Sequence, residues 1–324
     1  MNVMKASVYA QYGSPTVLRI KEVDKPVPKD KEVLIRVYAT TVNRTDCAML
    51  RAKPFIMRFL TGLFRPSNPI LGTDFAGKVE ALGKDVLSFK VGDRVFGFDD
   101  SGISSHAQYM TFSEDNALAT IPSSLSYEHA AASIEGAHYA YNFINKVDIL
   151  PGQKVLVNGA TGAIGSAAVQ LLKYYGAQVT AVGNTKNISL MKSLGADQVM
   201  DYTKEDFTQT TEKYHYIFDS VGKSTFARCK PLLEIGGVYI SSELGPYIQN
   251  PFLALITPFF GNQKVVFPIP TDKKKSVLLI KKLSEEGKFK AVIDKKYPLE
   301  DIADAFRYVE TGQKTGNVVI TYED

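Results

Sequence analysis

The chain has 324 residues, 45% of them hydrophobic and 22% charged, with a net charge of +4 and an isoelectric point near 8.7. That length exceeds what one hydrophobic core usually fills, so about two domains are expected. The basic residues are scattered, which argues against a dedicated nucleic-acid surface, and two cysteines, Cys47 and Cys229, cannot form a disulfide framework and point to a reducing compartment.

The opening, MNVMKASVYAQYG, lacks the apolar core of a signal peptide and reads at once as a strand. LRIKEV, EVLIRVYAT, FAGKVEALG and RVFGFDD follow. They are short, rich in Val, Ile, Tyr and Phe, and punctuated by Gly, Pro and Asp, so the first 120 residues are expected to be all-β. Two greasy stretches, FIMRFLTGLF (55–64) and PFLALITPFFG (251–261), are shorter than the about 20 residues a membrane span needs, and Pro258 breaks the second. They are expected to cover a pocket or an interface of a soluble, cytoplasmic protein with no membrane partner. The texture changes near IPSSLSYEHAAAS, where Ser126 is placed to cap a helix starting at Tyr127.

From Lys154 the rhythm becomes strand, helix, strand. KVLVNG is a short buried strand, and the stretch after it has Ile164, Ala168, Leu171, Leu172 and Tyr175 at helical spacing, stopped by Gly176. AQVTAVG is the next strand, NISLMKSLGAD a second helix ended by Gly195, and QVMDY, YIFDSVG and GGVYISS continue the strands. Strands alternating with helices imply an α/β fold with a parallel, doubly wound sheet. The tail holds two amphipathic helices and a last strand. Its basic run Lys273–Lys275 follows Asp272 at a helix start and reads as a solvated face.

Between the first strand and helix of that rhythm lies NGATGAIG (158–165). Gly159, Gly162 and Gly165 are spaced to let a backbone approach a pyrophosphate, and Ala160, Thr161, Ala163 and Ile164 complete a loop at the mouth of a helix, whose N-terminal N–H groups suit a phosphate. The plain alternative is a tight strand-to-helix turn. An NAD site usually places an Asp or Glu at the end of the second strand. Here that strand runs into Gly183, Asn184, Thr185, Lys186 and Asn187, without an acid. Lys186 and Thr185 suit a 2′-phosphate, so the expected cofactor is NADP(H).

These residues and their surroundings resemble the medium-chain dehydrogenase/reductase superfamily, and within it the zinc-independent quinone oxidoreductase, zeta-crystallin-like branch. The resemblance rests on VNRTD (42–46), PILGTDFAGKVEALGKDV (69–86), FKVGDRVFG (89–97), the long stretch around the glycine loop, LGADQVMDYTKEDF and GNVVI. It implies a GroES-like β-rich catalytic domain (1–124 and 268–324) and a Rossmann-like cofactor domain (125–267), with the active site in the cleft between them. It also implies a homodimer pairing edge strands, for which KVVF (264–267) is the candidate.

The resemblance sets further expectations at single residues. Zinc-dependent members carry a Cys where this chain has Asn43, His-Glu where it has Thr73 and Asp74, and a third ligand at Glu135. One carboxylate cannot hold a catalytic zinc, so no metal is expected. Glu135 and His138, one turn apart, read as an ordinary polar helix face. Asn43 matches the family's pocket asparagine; as a catalytic residue it orients the substrate oxygen, and as a turn residue it closes a strand. Tyr139 stands where relatives have a nicotinamide-contacting threonine, either as a phenolic donor or as packing. Tyr202, Ser220, Val221, Gly222, Ser241 and Ser242 match cofactor-contacting loops, and Asn317 replaces a residue that is often basic. His106 and His138 are possible pocket residues, although isolated histidines are more often structural. Phe55, Phe59, Tyr247 and Phe252, with Phe64 and Phe259, suit a small, flat, apolar substrate or else pack an interface. The expected activity is hydride transfer from NADPH to a quinone or to an enone or enal. The alternatives are an alcohol or aldehyde dehydrogenase and a non-enzymatic NADPH sensor or structural protein.

Overall fold

In the computed structural model, which describes residues 3–322 and Leu60 by its backbone alone, the chain begins with an antiparallel pair. Strand β1 (Val3–Val8) lies on β2 (Arg19–Asp24), with Val3 opposite Asp24 and Val8 opposite Arg19. Met1 and Asn2 of the expected opening strand lie outside the described residues. β3 (Glu32–Val42) is buried along most of its length, and Val33, Ile35 and Val37 share one face. The all-β expectation fails next, because α1 (Arg44–Arg51) and α2 (Met57–Thr61) follow. The cause of α1 is a capping box. Asn43 Oδ1 accepts from the Asp46 N–H at 2.9 Å, and the Asp46 carboxylate accepts from the Asn43 N–H at 3.0 Å.

β4 (Asp74–Leu82), β5 (Arg94–Phe98), β6 (Tyr109–Ser113) and β7 (Leu118–Thr120) extend the β-rich part. α3 (Tyr127–Ala132) starts at the expected cap, Ser126, whose hydroxyl accepts from the His129 N–H at 3.3 Å. α4 (Glu135–Ile144) leads to β8 (Lys154–Asn158), α5 (Ala163–Tyr174), β9 (Gln178–Gly183), α6 (Ile188–Ser193) and β10 (Gln198–Asp201). Next come β11 (Tyr214–Asp219), α7 (Phe226–Cys229), β12 (Leu233–Ser241), α8 (Gln249–Ile256) and β13 (Lys264–Val266). The tail is α9 (Lys273–Glu285), β14 (Ile293–Pro298), α10 (Ile302–Glu310) and β15 (Asn317–Thr321).

These elements divide into two units. One holds the chain up to Glu135 and again from Asp272, and α3 belongs to it because it packs on β3, β4 and β15. The texture change near residue 124 therefore precedes the division. Its main sheet runs β14-β15-β3-β4-β5-β7, with β6 also on β3. Phe75, Val79, Val95 and Met110 form one core of this unit, while Leu50, Phe306, Val318 and Ile320 form another. Lys273 is not on a solvated face: it bridges Asp99 at 2.8 Å and Asp100 at 2.6 Å. Asp272 starts α9 in a left-handed conformation without a side-chain cap.

The second unit, Gly136–Thr271, is a six-stranded parallel sheet in the order β10-β9-β8-β11-β12-β13. Both expected stops hold. Gly176 and Gly195 follow α5 and α6 with positive φ, +81° and +100°, a conformation open to glycine. The greasy segments contribute α2 and α8. Pro251 is tolerated because it sits in the first turn of α8, where its missing N–H has no intrahelical partner to lose.

Candidate cofactor and active site

In the second unit the chain runs from β8 outward to β9 and β10 on one side, and then to β11, β12 and β13 on the other. The strand order thus reverses between β8 and β11, and open parallel sheets bind ligands beyond the carboxyl ends of their strands at such a point. Asn158, Asp219 and Ser241 end β8, β11 and β12 in register. The structure therefore gathers Gly159–Gly165, Asn184–Asn187, Ser220–Gly222, Ser241 and Ser242 along one sheet edge.

The three glycines have separate reasons. Gly159 takes φ +79°, and a Cβ there would lie 2.8 Å from Val221 Cβ. A Cβ on Gly165 would lie 2.1 Å from the Gly159 carbonyl, so this glycine lets α5 close on the loop. A Cβ on Gly162 meets only the Gly159 oxygen, at 3.7 Å. Packing within the protein does not require that glycine. Gly162 is also the N-cap of α5 and supplies no side-chain cap to its first-turn N–H groups.

Asp219, to which the sequence reading assigns no role, organises this edge. It is fully buried and accepts from Asn158 Nδ2 at 3.0 Å, the Gly222 N–H at 2.9 Å, the Ser224 N–H at 3.1 Å and the Tyr239 hydroxyl at 2.8 Å. Ser220 Oγ donates to the Asn158 carbonyl at 2.8 Å. The signal was present in the sequence as an acid ending an apolar strand before Ser-Val-Gly.

At the end of β9, Thr185 does not stand ready for a 2′-phosphate. Its hydroxyl donates to Asp201 Oδ2 at 2.5 Å, and Asp201 faces Gly183 across the β9–β10 register. An acid is thus beside the second strand's end after all, contributed by the third strand, but it is saturated. The Thr203 hydroxyl and N–H also donate to it, and these donors hold its carboxyl below the usual range. Lys186 is exposed and forms no ion pair among the described residues. Asn184 Oδ1 is a buried acceptor without a partner, as a ribose hydroxyl would require. Tyr202 is pinned by its N–H to the Gly183 carbonyl at 3.0 Å, with its ring exposed.

In the first unit, the positions that hold zinc in zinc-dependent members form a closed set. Asn43 Nδ2 donates to Thr73 Oγ1 at 2.7 Å, while its oxygen is taken by the α1 cap. One amide hydrogen remains. Asp74 is buried and accepts from the Thr41 N–H at 2.7 Å and hydroxyl at 2.6 Å; burial still pushes it up to about 6. Asp46 is held well above the ordinary carboxylate range, first by burial and then by Asp74. Glu135, at the start of α4, accepts from Thr45 Oγ1 at 2.7 Å and is likewise held far up, by burial and then by Asp74 and Asp46. Lys314 is pushed down to about 8 by burial, against the pull of Glu135. Neither an amide nor a hydroxyl is a usual zinc donor, and the carboxyls here accept from hydroxyls and N–H groups of the protein. The set does not fit a catalytic zinc, which needs about three Cys, His or carboxylate ligands.

The remaining candidates are placed as follows. His106 is fully buried, its Nε2 2.9 Å from the Thr41 carbonyl, and burial pushes it down to about 4, so it is neutral packing and no pocket acid. Asn317 opens β15 and its amide donates to the Val292 carbonyl at 3.0 Å. His138 is buried, and Tyr139 is half-buried with its ring edge-on to His138 at 5.6 Å. Phe55, Phe59, Tyr247 and Phe252 are all exposed, and so are Phe64 and Phe259.

A doubly wound sheet with a glycine-lined cradle, in a chain whose other unit is β-rich and carries a buried polar cluster, is the make-up of a nucleotide-dependent oxidoreductase. Residues 29–141 match the family described as alcohol dehydrogenase GroES-like domain, and 194–320 the one described as zinc-binding dehydrogenase. The chain is 34% identical to a 2-methylene-furan-3-one reductase of Solanum lycopersicum, over 98% of this chain and 79% of that protein. It is 30% identical, over the same shares, to an NADPH-dependent alkenal/one oxidoreductase of Arabidopsis thaliana. The quinone oxidoreductase of Coxiella burnetii superposes with a TM-score of 0.86 at 25% identity, covering 99% of this chain and all of that one. The chain belongs to the medium-chain dehydrogenase/reductase superfamily, on its quinone oxidoreductase branch.

Proposed function

We propose that the protein is a zinc-independent reductase that uses NADPH to reduce a quinone or an alkene conjugated to a carbonyl. The observation that carries this reading is the replacement of the zinc-binding set by Asn43, Thr73 and Glu135, bound up in hydrogen bonds, in a chain whose glycine cradle is intact. The names of the two plant relatives point the same way. NADPH would be held by Gly159–Gly165 at its pyrophosphate, by Asn184 at its ribose and by Lys186 at its 2′-phosphate, and would supply the hydride.

The chain's own part is to position charge. Hydride arriving at a conjugated acceptor places negative charge on an oxygen, which hydrogen-bond donors stabilise without a metal. The second amide hydrogen of Asn43 is one such donor, and the phenol of Tyr139 is the other candidate. Burial, then Asp74 and Asp46, hold the Glu135 carboxyl well above its ordinary range, which disfavours a negative charge beside the forming oxyanion. β13 ends its sheet with one edge unpaired among the described residues, which supports a homodimer through that edge.

Loss of NADPH absorbance, followed with a quinone and with an enone in protein freed of metal, tests the proposal. Turnover with either supports it. Turnover of simple alcohols alone, and only after zinc is added, overturns it.

A further inference from the structure

The segment 53–65 folds into a knob with no acid in it; indeed none occurs between Asp46 and Asp74. Arg58 holds the knob together. Its guanidinium lies 5.0 Å over the Tyr12 ring and 5.9 Å over the Phe55 ring, and it donates to the Leu63 carbonyl at 3.1 Å. Tyr12 donates to the Gly62 carbonyl at 2.6 Å, tying the knob to the body of its unit. Phe55 and Phe59 meet edge to face at 6.0 Å, so they share one side.

This ordered knob leaves large apolar side chains in solvent: Phe55 is 65% exposed, Phe59 67% and Phe64 87%. Water is a poor resting place for three phenyl rings in so short a stretch. The cations around them are also uncompensated. Arg51 is neutralised by Glu310, but Lys53, Arg58 and Arg65 form no ion pair among the described residues. The other exposed greasy stretch, 244–263, has no charged residue of either sign, so the pairing of rings with cations is particular to the knob.

We infer that the knob is a docking surface for an anionic lipid bilayer. Rings enter the boundary between headgroups and acyl chains, while Lys53, Arg58 and Arg65 meet lipid phosphates; this is the chemistry of peripheral attachment. No helix among the described residues is long and apolar enough to cross a membrane, so the protein lies on the bilayer. The inference does not rest on the proposed reaction, and its test involves no turnover.

The experiment is co-sedimentation of the full chain with vesicles of phosphatidylcholine, alone or mixed with phosphatidylglycerol. Pelleting is expected with the mixed vesicles only, and is expected to weaken as salt rises. The double variant Lys53→Gln, Arg65→Gln is expected to bind about 25-fold more weakly, roughly 5-fold per cation. Phe64→Ser is expected to bind about 10-fold more weakly through lost apolar burial. Circular dichroism confirms that each variant is folded, and at exposed positions it is expected to be unchanged. Absence of pelleting, equal pelleting with both compositions, or unaltered binding by both variants overturns the inference. So does self-association in solution that Phe64→Ser removes, because the knob would then be covered by a second copy of the chain.

Discussion

Gly162 and Gly165 stand three residues apart, and a methyl group would act oppositely at the two. At Gly165 it would strike the Gly159 carbonyl at 2.1 Å, so Gly165→Ala forces the loop and α5 apart. Overpacking of this kind costs about 1–3 kcal/mol or more. At Gly162 there is room within the protein, and the loss of a glycine cap costs about 1 kcal/mol at most. Gly162→Ala is therefore expected to melt close to the parent yet bind NADPH at least about 10-fold more weakly, whereas Gly165→Ala loses stability first. Urea melts and a fluorescence titration separate the two, and equal behaviour in both assays would defeat the argument. Spacing alone announced the three glycines. It did not tell which one answers to packing and which to a ligand, because that depends on Val221 and on the fold of the loop over itself. Thr185 shows the same limit, since its partner Asp201 is contributed by the next strand.

At the scale of elements, the βα rhythm was legible because each strand is a short apolar run and each helix repeats its apolar face. α1 was not. Its start is written in Asn43 and Asp46, a capping box that passes for a turn when the neighbouring runs read as strands. The resemblance brings Asn43, Thr73, Asp74 and Glu135 to one place, but it assigns no part in that meeting to Asp46 or Lys314, which also act on Glu135. That meeting has a pH signature. A carboxyl with its folded pKa above the unfolded value favours the folded state fully below the unfolded value, and loses that contribution as the pH rises through the folded one. Glu135 is such a group, with burial as the first cause. Glu135→Gln mimics the protonated acid, keeps an acceptor for the Thr45 hydroxyl and cannot ionise. The variant and the parent are expected to be about equally stable below the ordinary carboxyl value of 4.5, with the variant gaining as the pH rises above it. Denaturant midpoints across that range provide the check. A parent that gains on the variant as the pH rises would show that Glu135 is ionised in the folded protein.

On the scale of the molecule, the two units have separate cores, and the cofactor residues named above lie in Gly136–Thr271. A ligand that binds only the folded state stabilises it by about 2.7 kcal/mol when present at about 100 times its Kd. For a unit of this size, each kcal/mol raises the Tm by roughly 2–4 °C, so saturating NADPH is expected to lift the transition by about 5–10 °C. The selectivity rests on Lys186, exposed and without an ion pair among the described residues at the end of β9, because the Thr185 hydroxyl already donates its hydrogen bond to Asp201. A hydrogen bond between charged groups contributes about 1.5–3 kcal/mol. Lys186→Ala is thus expected to weaken NADPH roughly 10- to 100-fold and to leave NADH unchanged, bringing the two thermal shifts together. A chelator is expected to alter neither shift, since the residues at the former zinc positions are engaged with one another. Equal shifts from the two nucleotides in the parent would remove Lys186 from the site and return the ribose to Asn184 alone. A shift that vanishes with the chelator would mean that a metal, and not the hydrogen-bonded set around Asn43 and Glu135, supports the folded state.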